Sequence, residues 1–240
     1  MQNSLKKKIF IILFFFISTI PLNSSEQFNF NVTEIKITED GNKFRGEKGG
    51  VVTTDDGIII NADNFDYNKI TNILKANGNV KIEDTAKQII IYSENVTYLK
   101  DQEKIFAEKN SKAIHDEFTI TADKFYYDKN LNILEAKKNV KINDTKKNII
   151  ITSEDINYLI NKEKIFSNKD SKAENNEIII NSEKFNYDRK LDIFNATNNV
   201  KIEDKLKDII IYSEKITYLK QEDKILTEGK TRALIESKYD

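Results

Sequence analysis

The sequence predicts an all-β fold assembled from half-repeats of about 30 residues, with roughly 14–16 short strands in total. Three observations predict this class: a motif that recurs in phase, apolar residues that alternate with polar ones inside each copy, and regularly spaced turns. A unit of about 30 residues leaves no room for a helix of any size together with a return strand. Strands and turns must therefore build each unit.

The repeat has a period of 60 residues. Residues 76–82, 136–142 and 196–202 read A-N-G-N-V-K-I, A-K-K-N-V-K-I and A-T-N-N-V-K-I, and no insertion breaks the phase. Each unit divides again, because residues 58–67 and 89–98 share the pattern I-x-I-x-(A/S)-(D/E)-x-(F/V)-x-Y. Self-similarity at such periods is typical of arrays in which neighbouring units share one core.

Alternation within the copies predicts which side chains face inward. Leu74, Val80 and Ile82 share one parity and are separated by charged or amide residues, as in a half-buried strand. The apolar parity changes between Ala62 and Phe65, and the same change recurs in the second half-repeat. We expect a β-bulge or bend at this point that redirects the strand.

Turns separate these strands at regular intervals. In the first full unit they fall at residues 68–71, 84–87 and 99–103, with counterparts 60 and 120 residues later. After Pro21 the chain contains no proline, so Asn and Asp, which tolerate left-handed backbone, must form most turns. Residues 28–37 and 43–53 add further strands before the repeat begins.

The first 25 residues have the layout of a secretory signal peptide. Lys6, Lys7 and Lys8 precede an apolar run over residues 9–20, which is shorter than the ~20 residues of a membrane-spanning helix. We therefore predict a signal peptide over residues 1–25 and one exported repeat domain over residues 26–240. An uncleaved membrane anchor is the alternative.

Composition excludes several kinds of chemistry. The chain has no Cys and a single His, and its 38 basic and 39 acidic side chains give a net charge of −1. It therefore lacks thiol nucleophiles, disulfides and Cys-ligated metals, and the basic stripe of a nucleic-acid-binding protein is absent. His115 is predicted to be an exposed loop residue, and Asp84, Asp144 and Asp204 are predicted to be turn residues. We expect no catalytic residues, no metal site and no cofactor.

The motif A-x-(G/N)-N-V-x-I, following A-D-x-F-x-Y, resembles the OstA-like domain of the lipopolysaccharide transport proteins. That family includes the periplasmic bridge protein LptA, the N-terminal domain of LptD and the anchored LptC. The resemblance covers roughly residues 28–240, and it implies an open β-jellyroll of two facing antiparallel sheets. It further implies a groove that holds the acyl chains of lipopolysaccharide, and modules that stack head to tail through their edge strands.

The resemblance and the alternation together give a hypothesis for the lipid-binding side chains, all of them apolar or aromatic and on the inward parity. These residues are Ile58, Ile60, Phe65, Tyr67, Leu74, Val80, Ile82, Ile89, Ile91, Val96, Tyr98, Ile120, Phe125, Leu134, Val140, Ile142, Ile149, Ile151, Ile180, Phe185, Val200 and Ile202. Alternation alone does not separate a core position from a lipid-facing one.

The predicted function is a non-enzymatic periplasmic module that binds lipopolysaccharide and carries its lipid A acyl chains to the outer membrane. The alternative is a structural or adhesive surface β-repeat protein with a closed core. Within the transport family, three alternatives stay open: a complete LptA-like protein, an LptC-like anchored protein, and the N-terminal part of an LptD-type chain. The last would continue into an outer-membrane β-barrel.

Overall fold

The structure is a computed structural model that describes residues 28–235. The predicted signal peptide lies outside these residues. The described part of the chain contains eighteen β-strands and three short 3-10 turns. The strands are β1 (Phe28–Thr38), β2 (Lys43–Thr54), β3 (Ile58–Ala62), β4 (Asn64–Asn68), β5 (Ile73–Asp84), β6 (Ile89–Leu99), β7 (Lys104–His115), β8 (Phe118–Asp128), β9 (Ile133–Asp144), β10 (Ile149–Leu159), β11 (Lys164–Ser167), β12 (Ser171–Glu174), β13 (Ile178–Ser182), β14 (Lys184–Asp188), β15 (Ile193–Asp204), β16 (Ile209–Leu219), β17 (Lys224–Glu228) and β18 (Arg232–Ile235).

Each long strand pairs antiparallel with the strands before and after it in sequence, so the hydrogen-bonded ladder is continuous from β1 to β18. Four of the long strands are broken in the middle, so that each carries two labels. These pairs are β3 with β4, β11 with β12, β13 with β14, and β17 with β18. The predicted all-β, antiparallel class is confirmed, and fourteen long strands agree with the predicted number.

A bulge near the middle of the long strands bends the ladder. Between β5 and β6 the register shifts from Asn77 to Val80, and Gly78 there has a φ of +78°. The predicted break between Ala62 and Phe65 is also present, because β3 ends at Ala62 and β4 begins at Asn64. We call the line of bulges the spine.

The spine divides the ladder into two half-sheets. The first half-sheet contains residues 89–93 and 118–122, and the second contains residues 95–99 and 124–128. On the side opposite the spine, the turns at the outer ends of the two half-sheets approach each other. We call this side the mouth.

Polar side chains fix the bend at the spine. The Asn79 side-chain amide donates to Asp63 at 2.9 Å, and Asn139 makes the same contact with Asp123, also 16 residues away. These bonds satisfy polar groups where the ladder is interrupted, because strand pairing is lost at a bulge.

Side chains from both half-sheets form one apolar core. Tyr98, Tyr127, Tyr158 and Tyr187 are its largest fully buried side chains. Near the β1 end, Phe28 packs against Tyr98 with ring centroids 5.8 Å apart. Among residues 28–235 there is no helix with the length and apolar character needed to span a membrane.

Candidate functional site

The structure places the predicted lipid-binding residues in this core. All of them except Tyr67 are buried, with exposed fractions between 0 and 3%. Tyr67 is half-buried near the β1 end, where its hydroxyl donates to the Asn72 side chain at 2.9 Å. The inward orientation is therefore confirmed for all of them, because Tyr67 also packs against the core, with its ring centroid 4.9 Å from that of Phe28. Lipid contact stays a prediction.

The core is closely packed in this conformation. A space of about 10 Å³ lies between Ile149, Ile180 and Phe194, which is room for about one water molecule. A larger surface groove of about 990 Å³ follows the spine, but it is lined mainly by polar side chains such as Ser153, Lys172 and Asn181. Its polar lining suits apolar ligands less well than the core does.

Buried tyrosines mark the boundary between the core and the mouth. The Tyr127 hydroxyl donates to Asp84 Oδ2 at 2.7 Å, and the Tyr187 hydroxyl donates to Asp192 Oδ1 at 2.9 Å. Burial, and secondarily the neighbouring Asp84 carboxylate, raises the pKa of Tyr127 well above its usual value. These tyrosines stay neutral and donate to carboxylates, with their rings in the core and their hydroxyls at the mouth.

A first ion cluster spans the mouth between the two half-sheets. Lys100 lies 2.6 Å from Glu103 and 3.2 Å from Asp56, and Lys129 lies 2.5 Å from Glu103 and also pairs with Asp56. Asp56 belongs to the β2–β3 turn of the first half-sheet, whereas the other three residues belong to the second. Burial opposes ionisation of Asp56, but hydrogen bonds from Lys129 and Thr54 hold its pKa below the usual range.

A second cluster lies further along the mouth and centres on Arg189. Its Nε donates to Asp144 Oδ2 at 2.6 Å, and its Nη1 donates to Glu163 Oε2 at 2.8 Å. The guanidinium carbon lies 4.7 Å from the Phe118 ring centroid. The Arg189 and Asp144 side chains are 5% and 1% exposed, so this pair is buried.

Two further contacts connect the half-sheets. Lys147 of the first half-sheet pairs with Asp192 of the second at 2.7 Å. His115 Nδ1 lies 2.8 Å from the Tyr158 hydroxyl. The prediction that His115 is an exposed loop residue was wrong, because β7 extends to His115, which pairs with Phe118 of β8.

The turn role predicted for the three repeated aspartates is confirmed. The backbone N–H groups of Lys87, Lys147 and Lys207 donate to Asp84, Asp144 and Asp204 at 3.0, 3.1 and 3.0 Å. Sequence reasoning missed the second contacts that Asp84 and Asp144 make across the mouth. A signal was available, since the repeat carries an acid at Glu103, Glu163 and Asp223 and a cation at Lys69, Lys129 and Arg189.

No three His, Cys, Asp or Glu side chains within residues 28–235 are arranged to hold a metal ion. The site is therefore an apolar core bordered by tyrosine hydroxyls and closed by ion pairs. Such an arrangement can bury apolar chains and pair with charged groups.

Comparisons with known proteins found similarity to one family model and to solved structures. Residues 44–145 match the sequence model of a family described as lipopolysaccharide-assembly, LptC-related. A solved structure, LptH of Pseudomonas aeruginosa, is described as the LptA homologous periplasmic component of the lipopolysaccharide transport device. It is 14% identical, with a TM-score of 0.44 over 47% of this chain and 82% of that one. No curated protein matches the sequence significantly. The resemblance predicted from the sequence is confirmed, because residues 44–145 match the model of an LptC-related lipopolysaccharide-assembly family.

Proposed function

We propose that this protein is a non-enzymatic periplasmic module that binds lipopolysaccharide and carries its acyl chains during transport to the outer membrane. The observation that supports this proposal is the continuous apolar core between two half-sheets, in a chain whose residues 44–145 match a lipopolysaccharide-assembly family. Export by the predicted signal peptide, with one mature domain over residues 26–240, would place the module in the periplasm.

The physical basis of lipid binding would be burial of acyl chains. Each methylene group removed from water contributes about 0.8 kcal/mol, so several chains can bind tightly without specific contacts. The predicted lipid-binding residues repeat along the axis of the array, so the lining would be continuous from one unit to the next. Because the core is filled in this conformation, acyl chains would enter as the half-sheets part at the mouth.

Photo-crosslinking tests the proposal directly. A photoreactive amino acid would replace Ile82, Ile142 or Tyr98, and the exported protein would be irradiated with lipopolysaccharide. Ile142 is buried, whereas its neighbour Lys141 points outward and is exposed, so Lys141 provides a matched control. We expect adducts from the inward positions and none from Lys141. Adducts at Lys141 alone would contradict lipid binding in the core.

The filled core also supports a second candidate, a structural or adhesive β-repeat protein that binds no lipid. In that case the ion pairs at the mouth would hold a permanently closed core. The crosslinking experiment separates the two candidates, because the structural protein would give no lipid adduct at any inward position.

We further propose that modules stack head to tail through their terminal strands. In the described residues β1 pairs with β2 alone, and it exposes Ile35 and Ile37. At the other end, β18 exposes Leu234 and Ile235. Unpaired strand edges favour strand addition, and because the two ends differ, the contact need not close into a ring. X-ray scattering at rising protein concentration should show rod-like growth, and a constant monomeric size would contradict stacking.

A further inference from the structure

We propose that Arg189 and Lys129 are phosphate-binding positions, occupied by the protein's own carboxylates while the mouth is closed. This inference rests on the proposed function, because it names how the charged part of a phosphorylated, acylated lipid would be recognised. The two residues occupy the same position of the repeat, one 60-residue unit apart.

Each of the two cations has two carboxylate partners, one on each half-sheet. Arg189 of the second half-sheet pairs with Asp144 of the first and with Glu163 of its own. Lys129 likewise pairs with Asp56 of the first half-sheet and with Glu103 of its own, and it shares both carboxylates with Lys100. Parting the half-sheets would remove the Asp144 and Asp56 partners and leave the other two in place. Each cation would then have lost one of its carboxylate partners and could bind another anion in its place.

The surroundings suit an anion attached to an apolar body. The guanidinium group of Arg189 lies over the Phe118 ring, and the Lys129 ammonium lies 5.7 Å from the centre of the Tyr98 ring. Both rings belong to the core, so each cation lies at the border of the space that acyl chains would fill. A lipid whose phosphate groups adjoin its acyl chains fits this arrangement.

The chemistry of the cations favours phosphate. Arginine presents several N–H donors in a planar fork that matches phosphate oxygens, and lysine binds phosphate as a point charge. Hydrogen bonds between ionised groups are about twice as strong as those between neutral ones. A phosphate group could thus replace Asp144 or Asp56 and hold the mouth open once the lipid has entered.

Binding of two lipids tests this proposal: bisphosphorylated lipid A and the same lipid without its phosphates. We expect wild-type protein to bind the phosphorylated lipid at least about tenfold more tightly. The substitutions Arg189→Gln and Lys129→Gln together should reduce this preference to about twofold or less. Lys162→Gln is the matched control, because Lys162 is an exposed cation on the same rim, and it should leave the preference unchanged.

A variant with a neutral Arg189 cluster separates loss of lipid binding from loss of folding. The first variant combines Arg189→Gln with Asp144→Asn and Glu163→Gln, and it removes the cation without leaving buried carboxylates unpaired. The second variant, Arg189→Lys alone, keeps a positive charge at this position. The preference should fall in the first variant and return in part in the second. Equal binding of the two lipids by wild type, or a preference unaffected by these variants, would overturn the phosphate positions and leave the proposed function standing. Failure to bind either lipid would contradict both.

A distance measurement tests the opening itself. The chain has no Cys, so Lys146→Cys and Leu191→Cys would place the sole two spin labels on opposing rims of the mouth. We expect the distance between the labels to increase with phosphorylated lipid A and, without lipid, in the Asp144→Asn background. An unchanged distance when phosphorylated lipid A is bound would overturn the proposal.

Discussion

The buried pair of Asp144 and Arg189 gives a sharp test of how the mouth is held closed. Asp144→Asn keeps the size of the side chain and one oxygen for the turn, but it places an amide N–H group against the Arg189 Nε–H donor. Asp204→Asn is the matched control, because Asp204 occupies the same turn one unit later. Its salt-bridge partner, Lys207, is 47% exposed.

The expected cost follows from burial. Removing one member of a buried ion pair typically costs about 3–5 kcal/mol. Arg189 would keep Glu163, at 2.8 Å, so we expect a loss near the lower limit, about 3 kcal/mol in the free energy of unfolding. An exposed pair is worth about 0–1 kcal/mol, so Asp204→Asn should cost less than about 1 kcal/mol.

Asp84→Asn should fall between these two variants. Its partner across the mouth is the neutral hydroxyl of Tyr127, and a hydrogen bond from a neutral donor to a charged carboxylate contributes about 1.5–3 kcal/mol. Urea unfolding followed by circular dichroism measures all three variants, and an unchanged dependence on urea shows that the same surface is exposed. If Asp144→Asn and Asp204→Asn differed by less than about 0.5 kcal/mol, the reasoning about the mouth would be refuted.

Three further predictions concern the spine, the mouth and the core. Gly78→Ala should destabilise the protein by about 1 kcal/mol more than Gly41→Ala in urea unfolding, because both have positive φ but a Cβ at Gly78 alone would approach the Asp63 side chain within 3.0 Å. The pKa of Asp56 is lowered on folding, so the carboxylate stabilises the fold above its ordinary pKa of 3.8. The stability difference between wild type and Asp56→Asn should therefore be full at neutral pH and shrink as pH falls below about 4; a constant difference would contradict the pairing. Ile151→Ala should cost about 2–5 kcal/mol in the same urea assay, and Ile211→Ala clearly less, because Ile151 is 1% exposed and Ile211, its repeat counterpart, is half-buried.

The sequence predicted the core well because the relevant signal is local. Alternation along a strand determines which face each residue occupies, and a 60-residue repeat supplies independent copies of the same pattern. The break after Ala62 was predictable for the same reason, since a bulge changes the parity of the apolar residues. Tyr67 also packs against the core but is less buried than the rest: its counterpart Tyr127 is fully buried between neighbouring units, whereas Tyr67 lies near the β1 end.

The mouth was not predictable from the same signals, because its contacts join residues that are far apart in sequence. Arg189 and Asp144 are separated by 45 residues, and Lys129 and Asp56 by 73. Their meeting depends on how the two half-sheets face each other across the core, and strand periodicity carries no information about that geometry. The prediction for His115 was wrong for a different reason. It was based on the counterpart Asn175, which lies in a turn, whereas β7 continues through His115.

Equivalent residues are alike in the core, whereas equivalent cations at the mouth differ in burial, and this contrast bears on function. Core positions such as Val80, Val140 and Val200 keep the same residue in every unit, as close packing requires. At the mouth the equivalent cations differ, since Lys69 is exposed whereas Arg189 is buried in a salt bridge. Close packing of the core does not require these differences, so the units differ in their charged groups at the mouth. Discrimination among lipids would therefore arise at the mouth, whereas the core would bind any acyl chain of suitable length.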